Sequence, residues 1–218
     1  MIDGPLEVRD VRPGLWLWRI RHWEWREGND WEPEVSSFVV DARGEVILID
    51  PLAPPPPARE VYDRLLARRP TRIILVKPDH VRDLDLFAHW YGIPAHGPPL
   101  FWRGEAPQTD LEPVFLDQEL PGGLVALFDG RGGLEKPIYV EDHKAIIFAD
   151  GLTAPAAGGN LLRVWWTPVL EKRTLPALRA MLDLPFEHVL VSHGEPVHAR
   201  ADFEAALERE PWSIPGEV

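Results

Sequence analysis

Three stretches of the chain place ionisable side chains directly after a run of apolar residues. Residues 73–76 lead into Lys77-Pro78-Asp79-His80, residues 146–148 into Ala149-Asp150, and residues 189–191 into Ser192-His193. Strand ends at a sheet edge are where sites are commonly assembled. Two imidazoles and two carboxylates (Asp79, His80, Asp150, His193) offer nitrogen and hard oxygen without sulfur, a donor set for zinc, iron or manganese. Cysteine is absent, which excludes disulfides, thiolate metal sites and cysteine nucleophiles. Each group alone has an ordinary explanation. Asp79 ahead of a helix reads as an N-cap, Asp150-Gly151 as a turn pair, and His193-Gly194 as a loop after a strand.

The elements that must position these groups alternate between strand and helix. Residues 15–20 read as a strand, followed by a polar loop or hairpin over 21–34 with interleaved tryptophans. Strands over 37–40 and 46–49 flank the turn at Arg43-Gly44, and the second ends at Asp50-Pro51. A helix is expected over 58–69, with Val61, Leu65 and Leu66 on its apolar face. The run at 72–76 is a buried strand. A helix follows His80, with Val81, Leu84, Phe87, Ala88 and Tyr91 at helical spacing and Gly92 as its stop. Residues 93–123 are proline-rich and irregular. Strands over 124–128, 137–140, 145–148 and 161–166 come next, then a helix from a cap at Thr174 to residue 184, a strand over 188–192 and a last helix over 199–208. Hairpin-like strand pairs with returning helices predict an α/β fold of mixed sheets with helices outside, in one domain over 1–218.

Composition narrows the function classes. The net charge of −12 argues against nucleic acid or an anionic membrane as the main partner. No apolar run approaches the roughly 18 residues of a membrane span, and the first residues lack a signal-peptide pattern, so a cytoplasmic protein is expected. Twenty-four prolines and no cysteine fit a thermostable protein. There is no glycine-rich nucleotide-binding pattern and no Gly-x-Ser-x-Gly. Five of the ten tryptophans fall between Trp16 and Trp31. With His22 they read as a core edge or an oligomer contact ahead of a lid over a site. His96 reads as a plain loop residue ahead of an outer group of the site.

The layout resembles the metallo-β-lactamase superfamily over most of the chain. The residues that carry this are Ser37-Phe38-Val39-Val40 with the strand ending at Asp50, then Asp79-His80, Ala149-Asp150-Gly151 and Ser192-His193-Gly194. The resemblance implies a four-layer αββα sandwich and hydrolysis of esters, thioesters, amides or phosphodiesters. It departs from the family's His-x-His-x-Asp-His signature, whose first two histidines fall on Leu75 and Lys77. The mid-chain histidine falls on Arg131, and the glycines after the signature fall on Arg82 and Asp83. One of the family's two metal sites is thereby lost. The other is implied to hold a single divalent ion on Asp79, His80, Asp150 and His193, with Lys77 and Arg131 stabilising negative charge on a small-molecule substrate. The alternative is a metal-free module in which Lys77 and Arg131 neutralise Asp79 and Asp150. The sequence leaves the substrate unnamed and homo-oligomerisation open.

Overall fold

The computed structural model describes residues 6–29, 31–56, 58–102, 104–116, 118–130 and 134–213. Its first strand, β1 (Glu7–Arg12), pairs antiparallel with β2 (Leu15–Arg21). β2 pairs with β3 (Glu34–Ala42), and β3 with β4 (Glu45–Ile49), again antiparallel. Then β5 (Arg72–Ile74), β6 (Ala95–Gly97) and β7 (Leu111–Pro113) add in parallel, giving seven strands in chain order. The second sheet has the order β14-β11-β10-β9-β8, built from β8 (Glu119–Leu120), β9 (Leu124–Ala126), β10 (Ile138–Val140), β11 (Ala145–Phe148) and β14 (His188–Val191). Only its β11–β14 pair is parallel. A small ribbon joins β12 (Leu152–Thr153) to β13 (Arg163–Val164).

Period-two alternation explains the layers. On β4, Ile47 and Ile49 enter the core between the sheets, beside Ile138, Ile147 and Leu190. Val46 and Leu48 point the other way, onto α1 (Arg59–Ala67) and α2 (Leu84–Tyr91), where they meet Val61, Leu65, Leu84 and Phe87. On β11, Ala145 and Ile147 enter the central core, while Ile146 and Phe148 face α3 (Leu175–Ala180) and α4 (Arg200–Glu208). A strand buried on both faces reads as a continuous apolar run, which is what these segments show. The result is the expected helix–sheet–sheet–helix sandwich. No helix among the described residues is long and apolar enough to cross a membrane.

Local expectations needed correction at several places. β1 escaped notice because none of its residues is fully buried. Leu66 is 72% exposed: it sits one residue beyond Leu65, about 100° around the helix from the buried face. Asp79 caps nothing. It lies in a single 3-10 turn, Pro78–His80, and α2 starts only at Leu84 because Arg82 adopts φ +46° and interrupts the chain between them. Thr174 is no cap either. Its backbone is helical, continuing a wide turn over Leu170–Thr174 into α3, which ends at Ala180.

Candidate metal centre

The carboxyl ends of two of the parallel strand pairs, β4–β5 and β11–β14, deliver their following residues to one place. His80 follows β5, Asp150 follows β11 and His193 follows β14. Nε2 of His80 lies 3.2 Å from Asp150 Oδ1, and Nε2 of His193 lies 3.4 Å from the same oxygen. One donor atom from each of the three residues lies within 4.8 Å of the others.

Asp50, at the end of β4, fixes the His80 ring from behind. Its Oδ2 is 2.8 Å from His80 Nδ1, and its Oδ1 accepts the Val76 N–H at 2.8 Å. The Ser37 hydroxyl donates to the Asp50 carbonyl and accepts the Leu52 N–H, both at 2.9 Å. Asp50 is buried and holds φ +46°. A carboxylate on the far nitrogen of an imidazole sets its tautomer and leaves Nε2 to face a metal.

Burial alone would hold His80 neutral. Asp150 and Asp50 outweigh burial and the opposing charge of Arg82, and push the imidazole up to about 9. Burial would likewise raise Asp150, but His80, Lys77 and His193 hold it well below the usual carboxylate range. His193 is lowered, chiefly by burial, so it is neutral at neutral pH.

Lys77 and Asp79 form a second tier. The buried Lys77 ammonium lies 2.5 Å from Asp79 Oδ2 and 2.5 Å from Asp150 Oδ2. Asp150 therefore turns one oxygen to the imidazoles and the other to Lys77. Asp79 is 39% exposed and reaches the cluster through Lys77; it is not one of the three converging donors. Arg131 lies outside the described residues. His96 sits on β6 with Nδ1 3.5 Å from Glu112, away from this edge.

Sequence reasoning missed Glu135. It is fully buried, and its Oε1 accepts N–H groups from Ala149, Asp150 and Gly151 at 3.0–3.2 Å, fixing the turn that carries Asp150. Three successive donors converging on one carboxylate leave no periodic trace. Arg82, noted only as a replaced glycine, is the second omission: its Nη1 donates to the Ser36 and Asp50 carbonyls, both at 2.8 Å.

A cleft of about 840 Å³ opens over the centre. Trp23 and Trp31 line it together with His22, Arg82, Trp165 and Trp212. Trp31 meets the His193 ring edge-on at 6.0 Å, and His22 meets Trp31 at 5.2 Å while stacking on Trp23. The tryptophan-rich segment is thus divided. Trp18 is buried beneath the helices with Nε1 donating to the Leu52 carbonyl, whereas Trp23 and Trp31 overhang the site.

The donors fit a divalent ion. The 3.2 and 3.4 Å separations are close to the edge of a tetrahedron, about 3.3–3.4 Å, that metal–ligand distances near 2.0–2.1 Å produce. The three donors leave a further corner open, as in sites that do chemistry rather than merely hold structure.

No protein-family model and no curated protein matches the sequence. Solved structures do match. A metallo-β-lactamase of Pseudomonas aeruginosa, in its mono-zinc form, is 14% identical over 95% of this chain and 96% of its own, with a TM-score of 0.67. One from Pontibacter korlensis is 15% identical over 94% of this chain and all of its own, with a TM-score of 0.66. One from Erythrobacter litoralis is 11% identical, covering 94% and 98%, with a TM-score of 0.68. With two mixed sheets between helical layers and a His–Asp–His cluster at the strand ends, the chain has the metallo-β-lactamase fold.

Proposed function

We propose that the chain is a metal-dependent hydrolase that uses one divalent ion, zinc by preference of its donors, bound to His80, Asp150 and His193; Asp79, implied as a further ligand by the resemblance, joins them only by releasing Lys77. The convergence of those three side chains, with Asp50 behind His80, carries the reading. A divalent ion there supplies Lewis acidity to an attacking water and to an oxygen of the substrate. The protein's own groups do the rest. Asp50 holds the His80 ring, and Glu135 holds the Asp150 turn. Lys77 is buried and stays charged, so it can stabilise negative charge developing on a substrate oxygen; Arg131 is assigned the same role. Trp23 and Trp31 line the cleft and give it an apolar wall. The substrate is a small molecule with an ester, thioester or phosphodiester bond, and the setting is cytoplasmic.

The ion pairs of Lys77 favour a second reading. An ammonium already bridging Asp79 and Asp150 can stand where an ion would, leaving a metal-free binding module. Elemental analysis of untagged protein separates the two, with His193→Ala and Asp79→Ala as controls. The hydrolase reading expects near-stoichiometric zinc, iron or manganese, lost in His193→Ala, and hydrolysis of generic esters or phosphodiesters that a chelator abolishes. Protein that stays metal-free in excess ion overturns it in favour of the binding module.

A further inference from the structure

We propose that Arg82 anchors an oxyanion carried by the substrate, a carboxylate or a phosphate-type group, beside the His80–Asp150–His193 cluster. The proposal rests on the reading of this cleft as a substrate site and names the chemistry of what enters it.

Arg82 lies in the cleft wall, and only one of its guanidinium nitrogens is engaged. Nη1 donates to the Ser36 and Asp50 carbonyls. Nε and Nη2 make no hydrogen bond, and no carboxylate lies within ion-pairing distance, among the described residues. Lys77, in the same cleft, is differently disposed, since it is committed to two carboxylates at 2.5 Å. Arg82 is half-buried, and Asp50, Asp79, Asp83 and Asp150 act on it without contact, so its free nitrogens still gain from a partner at hydrogen-bond distance. The planar guanidinium fork matches the paired oxygens of a carboxylate or phosphate.

The backbone is bent to put the guanidinium there. Arg82 has φ +46°, a left-handed conformation that is unfavourable for a residue with a bulky side chain. Its hydrogen bond to Asp50, which has the same φ, joins two strained residues at one site. Strain of this kind gathers where a side chain must be aimed. Arg82 lines one cleft with His22, Trp31, His80 and His193.

His22 adds a second donor to the same cleft. Its Nδ1 accepts the Glu24 N–H at 3.2 Å, so the neutral ring carries its proton on Nε2. Trp23, Trp31 and Trp212 line the same space and can take an apolar part attached to the anion.

The test follows arginine Nε–H resonances of ¹⁵N-labelled protein during titration with sodium sulfate and with sodium benzoate, at constant ionic strength. Zinc is measured in the same samples, which are run with and without added zinc. The resonance that disappears in Arg82→Lys belongs to Arg82. It is expected to shift saturably in the millimolar range, with about tenfold weaker binding in Arg82→Gln by calorimetry. The tighter of the two salts tells a tetrahedral from a planar oxyanion. An Arg82 resonance unmoved by either salt, or equal affinity in Arg82→Gln, overturns the proposal. If Arg82→Gln fails to fold, the wild-type resonance decides alone. A shift at Arg82 in protein that takes up no zinc removes the hydrolase reading and keeps the anchor. Bound zinc with an unmoved Arg82 removes the anchor alone.

Discussion

Zinc affinity should climb steeply between pH 6.5 and 8.5, because the ion must displace one particular proton. His80, pushed up to about 9 by Asp150 and Asp50 against burial, is an imidazolium throughout that range. A metal ligand must be the neutral ring. His193 is lowered by burial and already neutral, Asp150 is held ionised, and Lys77 is raised and stays charged, so none of them adds to the proton count. Metal-binding strength then scales with the neutral fraction of His80. That fraction rises about 80-fold from pH 6.5 to 8.5 for a group at about 9, and only about twofold for a histidine at its ordinary 6.5. Competition with a chromophoric chelator, corrected for the chelator's own protonation, reads the constant at each pH. A flat profile refutes the reasoning: His80 would then be no ligand, or its carboxylate neighbours would not hold its proton. The same shift fixes a sign for folding. The zinc-free protein keeps the stabilisation from protonated His80 below pH 6.5 and loses it as pH rises through 9.

Other substitutions test the supports of the site. A Cβ at Gly194, at φ +93°, would lie 2.0 Å from the Ala154 carbonyl oxygen, so Gly194→Ala should cost about 3 kcal/mol or more in urea unfolding and shift the loop that carries His193. An unchanged midpoint would show that the loop yields freely. Glu135→Gln removes the charge that three backbone N–H groups converge on, and a loss of about 2–3 kcal/mol is expected. Wild-type stability in that variant would mean that the Asp150 turn stands without Glu135. Asp50→Asn frees the His80 ring and should weaken zinc about 10–100-fold while flattening the pH profile. Unaltered affinity there would remove Asp50 from the site.

The layers were legible because strands such as β4 and β11 are buried on both faces and leave unbroken apolar runs in the sequence. His80, Asp150 and His193 were legible for a related reason, since each follows such a strand. What stayed hidden depends on three dimensions. Glu135 binds backbone groups from 14 to 16 positions away. Arg82 is aimed by a left-handed backbone that its residue type disfavours. β1 is half-exposed and carries little apolar signal. The tryptophan-rich segment misled because composition cannot separate Trp18, turned into the core, from Trp23 and Trp31, held over the cleft by a chain reversal.

Charge accounting joins the metal centre to the anchor. A divalent ion brings two positive charges and displaces the proton on His80, so loading makes the site one charge more positive. Arg82 is a cation of this site without a carboxylate in contact among the described residues, so an anion arriving there meets the added charge at its least committed point. Ion and oxyanion should therefore bind with positive coupling, each strengthening the other by the same factor. Lys77 has a different part in this balance. Where the resemblance expects a histidine, a fixed ammonium keeps Asp79 and Asp150 together in the absence of any ion, so the cluster can fold first and take its ion afterwards.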